Sequence, residues 1–490
     1  MLKEQLTVIT ESVGVLLPEI SLLAMLLLLV VADLVIVKNK LAVLSFLFVV
    51  GLIGSGLVLY NMPMEEGQHL FLKALYVDGT MHFYKFLLLL SGVILLGFRW
   101  LGNDKIAQAP SERGLALSGD GEFFVLVTAV LLGGHFLLMS NNLLMLFLSI
   151  ELISLPSYLL VLFRFNKQAA EAGTKYLLYG AVASGITIYG ISWLYGLSGG
   201  NIHFEGLAAG MMEADGMYYM GLFFLLGGIL FKLSAVPFHI WAPDVYQGGP
   251  TSVVAFVSVV PKVVTLAVLA RMLEMSRLLT YEGVQETILG IALLSILWGT
   301  LSAVWQKSSK RMMAYSTIAH IGFMLIVTTI NGDLAWQALR FYMAIYMLGS
   351  FAAFFFIDLV EEARGTDHFK SFEGVGRNIT YIGALMVMVM VSLTGLPPTA
   401  GFTAKFFVFS SLWQDYQVDS SPLKVALLLV GLLSTAIALY FYIKIPYHMY
   451  FRKGEVEATT IQWSLGRKLF FALLSLPLLL IFFIPSLLVF

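Results

Sequence analysis

Residues 231–250 read FKLSAVPFHIWAPDVYQGGP, and residues 393–407 read LTGLPPTAGFTAKFF. Each lies in an apolar segment too long for one plain membrane helix, and each carries prolines and glycines where a helix would have to continue. The segment around the first, 217–247, would reach about 45 Å as a straight helix, against a hydrocarbon layer of roughly 30 Å. Pro237 and Pro243 withdraw amide donors and crowd the preceding turn, so the backbone is expected to break near Val236. In the second segment, 379–414, Gly395, Pro397, Pro398 and Gly401 impose the same interruption. A break inside lipid strands carbonyls and amides unless they face protein or water. Both sites are therefore expected to line a polar passage.

The rest of the chain agrees with a membrane setting. Its 490 residues are 59% hydrophobic and only 12% charged, which leaves no room for a separate water-soluble catalytic domain. Apolar runs of spanning length fall at about 14–37, 41–60, 80–100, 121–139, 143–163, 173–196, 217–247, 251–275, 285–305, 312–331, 335–360, 379–414, 423–450 and 467–488. The expected fold is all-α, a polytopic membrane protein with 14 transmembrane helices. The first run, from about Val13 to Val37, is too long for a signal-peptide core and follows Glu4 and Glu11, so it reads as a retained span. Of 29 lysines and arginines, six lie inside segments (Lys85, Lys232, Lys262, Arg340, Lys405 and Lys444), and 18 of the other 23 sit in or beside the loops that follow odd-numbered segments. By the positive-inside rule both termini face the outer, periplasmic side.

The broken segments are the seventh and the twelfth. Five is an odd interval, so a five-helix repeat reverses its direction across the membrane, and paired discontinuous helices in inverted repeats are transporter architecture. Segments 4–8 and 9–13 are read as two inverted five-helix repeats. The domain reading is 1–110 as an N-terminal three-helix segment, 120–276 and 284–452 as the two half-repeats, and 465–490 as a C-terminal helix.

Several function classes are excluded. With no cysteine, the chain cannot hold an iron–sulfur cluster on thiolates or form a disulfide. Gly51, Gly54 and Gly56 lie inside an apolar helix and follow no strand, so they read as helix packing and not as a dinucleotide loop. A net charge of -1 without a basic patch argues against nucleic acid.

The informative residues are ionisable ones at lipid depth. Glu151 is the ninth residue of segment 5, about 12 Å from its end and close to the midplane. Lys232 lies one turn before the first break, Lys262 near the middle of segment 8, and Lys405 just after the second break. His320 sits within YSTIAHIGF and His239 follows Pro237. Each charge at the bilayer centre costs a few kcal/mol or more unless paired or hydrated, so several in one chain imply mutual compensation and a wet interior. A desolvated amine loses proton affinity and a nearby carboxylate restores it, so a lysine beside a movable glutamate is a proton switch. Lys444 and Lys85, nearer their segment ends, are expected to snorkel toward the headgroups. Glu151 as a structural tie and the histidines as packing residues are the plainer alternatives.

ELISLPSYLLV from Glu151, FKLSAVPFHIWAPDVYQGGP from Phe231, KRMMAYSTIAHIGF from Lys310 and LTGLPPTAGFTAKFF from Leu393 together resemble the antiporter-like subunits of the proton-pumping NADH:quinone oxidoreductase, respiratory complex I. The resemblance runs from about residue 120 to 450 and extends to subunits of multisubunit sodium/proton (Mrp-like) antiporters. Lys405 stands where the M-type pattern has glutamate and the L type aspartate, and the sequence stops two residues beyond segment 14, without the L type's lateral helix. Both features, with the ELISLP and VPFHIWAPDVYQGGP strings, resemble the N type.

The resemblance implies a proton-translocating, membrane-arm subunit in the bacterial cytoplasmic (inner) membrane. Its partners would be the antiporter-like subunits M and L and the small subunits K, J and A. No cofactor is implied in this chain; NAD, FMN, iron–sulfur clusters and quinone belong to partner subunits. It implies a switchable pair of Glu151 and Lys232, a relay at Lys262 and a donor at Lys405, with His320 and His239 assisting. Lys85 has no role in this pattern. A cation/proton antiporter subunit and a structural membrane scaffold are the competing readings.

Overall fold

The computed structural model describes residues 10, 12–36, 38–62, 67–102, 119–207, 216–281, 283–452, 461 and 463–488. Its helices are α1 (Leu17–Val35), α2 (Lys40–Tyr60), α3 (Gly79–Leu101), α4 (Asp120–Met139), α5 (Leu143–Val161), α6 (Lys167–Leu197), α7 (Gly216–Leu233), α8 (Trp241–Gly248) and α9 (Thr251–Ser276). They continue with α10 (Val284–Val304), α11 (Ser309–Thr328), α12 (Asp333–Arg364), α13 (Thr380–Thr394), α14 (Ala400–Asp419), α15 (Pro422–Tyr442), α16 (Lys444–Phe451), α17 (Leu465–Ser475) and α18 (Pro477–Phe483). Among the described residues, thirteen helical stretches are long and apolar enough to cross a bilayer. Between α12 and α15 the chain runs as two shorter pieces, α13 and α14. One element departs from the all-helical reading: strands β1 (Gln68–Leu70) and β2 (Leu75–Val77) pair antiparallel, with Gln68 opposite Val77.

Both expected breaks are present. α7 ends at Leu233 and α8 starts at Trp241, with Ser234 at φ +61° and a cis bond before Pro237. The amide of Val236, stranded by the break, donates to the hydroxyl of Ser295 at 3.0 Å. α13 ends at Thr394 and α14 starts at Ala400. There Gly395 adopts φ +86° and its amide returns to the carbonyls of Val391 and Ser392, a left-handed stop that glycine adopts without steric cost.

Polar side chains start the helices that carry the site. Asn142 accepts from the Met145 amide at the head of α5, Asn166 from Ala169 at the head of α6, and Ser308 from Arg311 at the head of α11. The chain forms two compact units, one of Met1–Leu96, Lys105–Lys232 and Val260–Leu278, the other of Gly97–Asp104, Leu233–Val259 and Leu279–Phe490.

In the first unit, α1 and α2 turn leucines such as Leu34 and Leu57 outward, the former 79% exposed. Leaving each in water would forfeit about 1.5–3 kcal/mol, which lipid contact recovers. The two helices meet at Gly51, where a Cβ would fall 2.1 Å from Met25 Sδ, so that glycine is a packing residue. In the second unit α12 is buried over nearly its whole length.

Candidate functional site

In the first unit the site is built by α5, α6 and the end of α7. Lys232, only 2% exposed, lies in the last turn of α7. Its ammonium donates to Ser154 Oγ at 2.9 Å and lies 5.6 and 5.7 Å from the ring centroids of Tyr158 and Tyr176. The two rings meet edge to face at 4.5 Å, so they replace water around the cation with π faces. Glu151, one turn before Ser154, accepts from Ser184 on α6. Its carboxylate acts electrostatically on Lys232, yet among the described residues the two form no ion pair within 4.0 Å. The structure therefore holds the acid and the amine apart, each on its own serine.

Lys262 is 1% exposed, next to Pro261 within α9, and close enough to Lys232 for the two ammonium groups to repel.

In the second unit the site is built around the α13/α14 break. Lys405 reaches back from α14 and donates to the Thr394 carbonyl at 2.7 Å and to Thr435 Oγ1 at 3.2 Å, with the Phe323 ring centroid 4.8 Å away. The cation thus sits on the carbonyl end of α13, where the helix dipole is negative. Gly395 makes room for it: a Cβ there would lie 2.6 Å from Lys405 Cδ.

His320 on α11 is bonded at both ring nitrogens, Nδ1 to the Tyr342 hydroxyl at 2.9 Å and Nε2 to the Tyr442 hydroxyl at 3.0 Å. Tyr442 also meets Ser316 at 2.6 Å, and Tyr346 bridges Thr317 Oγ1 and the Ser258 carbonyl. Hydroxyls can donate or accept, so Ser316, Tyr442, His320 and Tyr342 form a chain able to pass a proton. Lys405 is near enough to act electrostatically on His320. His239 stays outside this chain, its ring edge-on to Trp298 at 5.8 Å.

Sequence reasoning missed Tyr158, Tyr176, Tyr342 and Tyr442, which look like ordinary aromatic membrane residues until their hydroxyls or faces meet a cation or imidazole. It also counted Lys310 among the loop charges, whereas the residue is fully buried in α11 and pairs with Glu361 at 2.7 Å. The snorkelling expected for Lys85 does not occur. Its side chain is 1% exposed and its ammonium pairs with Glu19 at 2.8 Å, because a buried carboxylate on α1 offers a nearer counter-charge than the headgroups. Lys444 is held by the carbonyls of Val304 and Gln306. Among the described residues no group of three or more side chains has the arrangement of a metal site.

The geometry can be set beside known proteins. The family model for the transmembrane region of NADH:quinone oxidoreductase/Mrp antiporter proteins matches residues 140–432. The NADH-quinone oxidoreductase subunit N of Chlorobium chlorochromatii is 36% identical over 461 residues, covering 92% of this chain and 87% of the relative. The NAD(P)H-quinone oxidoreductase subunit 2 of Gloeothece citriformis is 33% identical over 456 residues, covering 92% and 85%. A chain of respiratory complex I from Thermus thermophilus, solved with bound Aureothin, superposes with a TM-score of 0.77 at 27% identity over 96% of this chain and 98% of that one. A chain of the Mrp complex from Dietzia sp. shares the fold, with a TM-score of 0.78 at 18% identity. The chain belongs to the NADH:quinone oxidoreductase/Mrp antiporter transmembrane family and groups within it with the subunit N proteins.

Proposed function

We propose that this chain is a proton-translocating membrane-arm subunit of a quinone-reducing respiratory complex. The observation that carries the reading is a buried lysine at each helix break: Lys232 on Ser154 within the field of Glu151, and Lys405 on the freed carbonyl of Thr394. Approach of Glu151 to Lys232 raises the amine's proton affinity and separation lowers it, so a signal from neighbouring subunits that moves either side chain loads or discharges the lysine. Lys262 relays within the first half, and Lys405 discharges in the second with His320 beside it. His239 assists as a further acid–base group.

On this reading the two breaks are equivalent positions of inverted five-helix repeats in a 14-span protein, within half-repeats 120–276 and 284–452. Both termini lie outside the bacterial cytoplasmic membrane. NADH oxidation and quinone reduction happen in partner subunits, and the antiporter-like M and L subunits and small subunits K, J and A complete the membrane arm. This chain has no cysteine to hold an iron–sulfur cluster on thiolates.

The test is proton translocation per electron pair by the assembled complex in proteoliposomes, with Lys232→Ala. A reduced yield with the complex intact supports the reading; an unchanged yield removes Lys232 from the pathway. The family also includes Mrp antiporter proteins, which gives the second reading its footing. Sodium or potassium flux through liposomes holding this chain alone would favour that cation/proton exchanger. A complex that pumps normally with Lys232, Lys262 and Lys405 all neutralised would leave a structural scaffold.

A further inference from the structure

Two helices outside the proposed repeats, α1 and α3, and the first helix of the first repeat, α4, hold a second acid–base cluster. Glu19 on α1, Lys85 on α3 and His135 on α4 are 2%, 1% and 0% exposed. One carboxylate oxygen, Glu19 Oε1, meets both Lys85 Nζ at 2.8 Å and His135 Nδ1 at 2.9 Å. Lys85 also approaches Met139 Sδ at 3.1 Å. Glu19 Oε2 and His135 Nε2 have no hydrogen-bond partner in the protein.

The bonding fixes the tautomer. An ionised carboxylate only accepts, so Nδ1 carries the hydrogen and Nε2 is left as a bare, buried acceptor. A plain structural tie needs only the lysine and the glutamate; the imidazole adds a basic nitrogen that no packing requirement calls for.

We propose that Glu19, Lys85 and His135 form a proton-binding site distinct from the Lys232, Lys262 and Lys405 positions. With Glu19 ionised, Lys85 protonated and His135 neutral, the cluster carries no net charge. One proton taken up at Nε2 makes an imidazolium that stays bonded to Glu19 Oε1, and its departure restores the starting state, so the cycle consumes nothing else. Lys85, sharing the same oxygen, opposes the added charge. Withdrawal of Lys85 from Glu19 therefore favours uptake and its return favours release.

The facing ionisable groups are few. His82, on α3, bonds the Asp78 carbonyl at 2.9 Å, and Asp78 lies 3.8 Å from Arg271 of α9. α2 contributes Lys40, at its first turn and paired with Asp33 at 2.7 Å, and Tyr60, its last residue, while α5, packed on α4, carries Glu151 and Tyr158. Glu19 is the third residue of α1, Lys85 the seventh of α3 and His135 the fifth from the end of α4, so the cluster lies within about 10 Å of the face on which α1 begins. That position suits a loading or discharging station near the aqueous boundary.

As a relay the site rests on the proton-translocation reading above, so the experiment separates the two. The assembled complex in proteoliposomes is assayed for protons moved per electron pair with Glu19→Gln/Lys85→Met, beside Lys232→Ala. Replacing a whole buried ion pair by neutral groups of similar size is tolerated when the pair is only a tie, so a wild-type yield in the double variant overturns the proposal whatever Lys232→Ala does. The expected result is loss of about half or more of the share of the yield that this chain carries, because a proton-transfer group is removed. Because the double variant can fail to assemble, redox-triggered infrared difference spectra of the wild-type complex and of His135→Gln provide the second measurement. An imidazole protonation band present in the first and missing from the second supports the site, even if Lys232→Ala leaves pumping intact. Identical spectra overturn it.

Discussion

The two broken helices solve one problem by opposite routes. At the first break the lysine precedes the interruption: Lys232 belongs to the last turn of α7 and points its amine to a hydroxyl, two tyrosine faces and the field of a carboxylate. At the second the lysine follows it: Lys405 belongs to α14 and folds back onto the carbonyl that the end of α13 leaves free. The first lysine has an ionisable partner within electrostatic range. The second has fixed backbone and hydroxyl dipoles, with an imidazole nearby. On the proposed reading, the same residue type would be switched by charge in one half and positioned by the backbone in the other.

The largest expected effect breaks the first half. Lys232→Ala should remove most of the protons moved per electron pair in the share this chain carries, as expected for loss of a proton-transfer group, whose contribution to rate is about 10²-fold or more. Glu151→Gln should match it if the carboxylate is the switch; a Glu151→Gln complex that pumps like the wild type would leave the first half as dipole-governed as the second.

Next comes Gly395→Ala, which leaves every charge in place. Its positive φ alone costs about 1–2 kcal/mol, and the added methyl collides with Lys405. Thermal denaturation of the purified complex should fall by several degrees and the yield with it, and an unaffected yield would detach Lys405 from its carbonyl seat. Tyr442→Phe removes the bonds to His320 and Ser316, worth about 1–2 kcal/mol together, and should reduce proton yield severalfold without preventing assembly. Ser184→Ala is the mildest, about 1 kcal/mol or less, because Glu151 is half-buried and can recruit water. Its readout is a shifted pH profile of pumping with stability nearly unchanged.

What could be read from the sequence follows from locality. Pro237 with Pro243, and Pro397 and Pro398 between Gly395 and Gly401, cluster helix breakers in segments too long for one span, whereas the single prolines Pro156 and Pro261 stay inside continuous helices, so both breaks were legible in the sequence. The burial of Lys232, Lys262 and Lys405 was equally visible, because a charge in a lipid-length segment has no bland explanation at mid-depth. Partners were not visible. Nothing local says that Tyr442, 122 residues along from His320, shares a hydrogen bond with it. Glu19 was overlooked because, three residues into α1, it resembles a helix-start carboxylate, and Lys85 was misjudged because its counter-charge lay on a different helix. Lys310 was lost in a boundary: two residues decided whether it counted as loop or core.

The row of hydroxyls through His320 has a direction. If Ser316, Tyr442, the imidazole and Tyr342 hand a hydrogen each to the next, as the proposed function requires, one passage leaves every donor pointing the other way. A second passage must wait until all of them have rotated back. On that reading such a row would conduct singly, like a turnstile, and would give the membrane a guard against short-circuit: ions would not stream through it in bulk, however steep the gradient behind them.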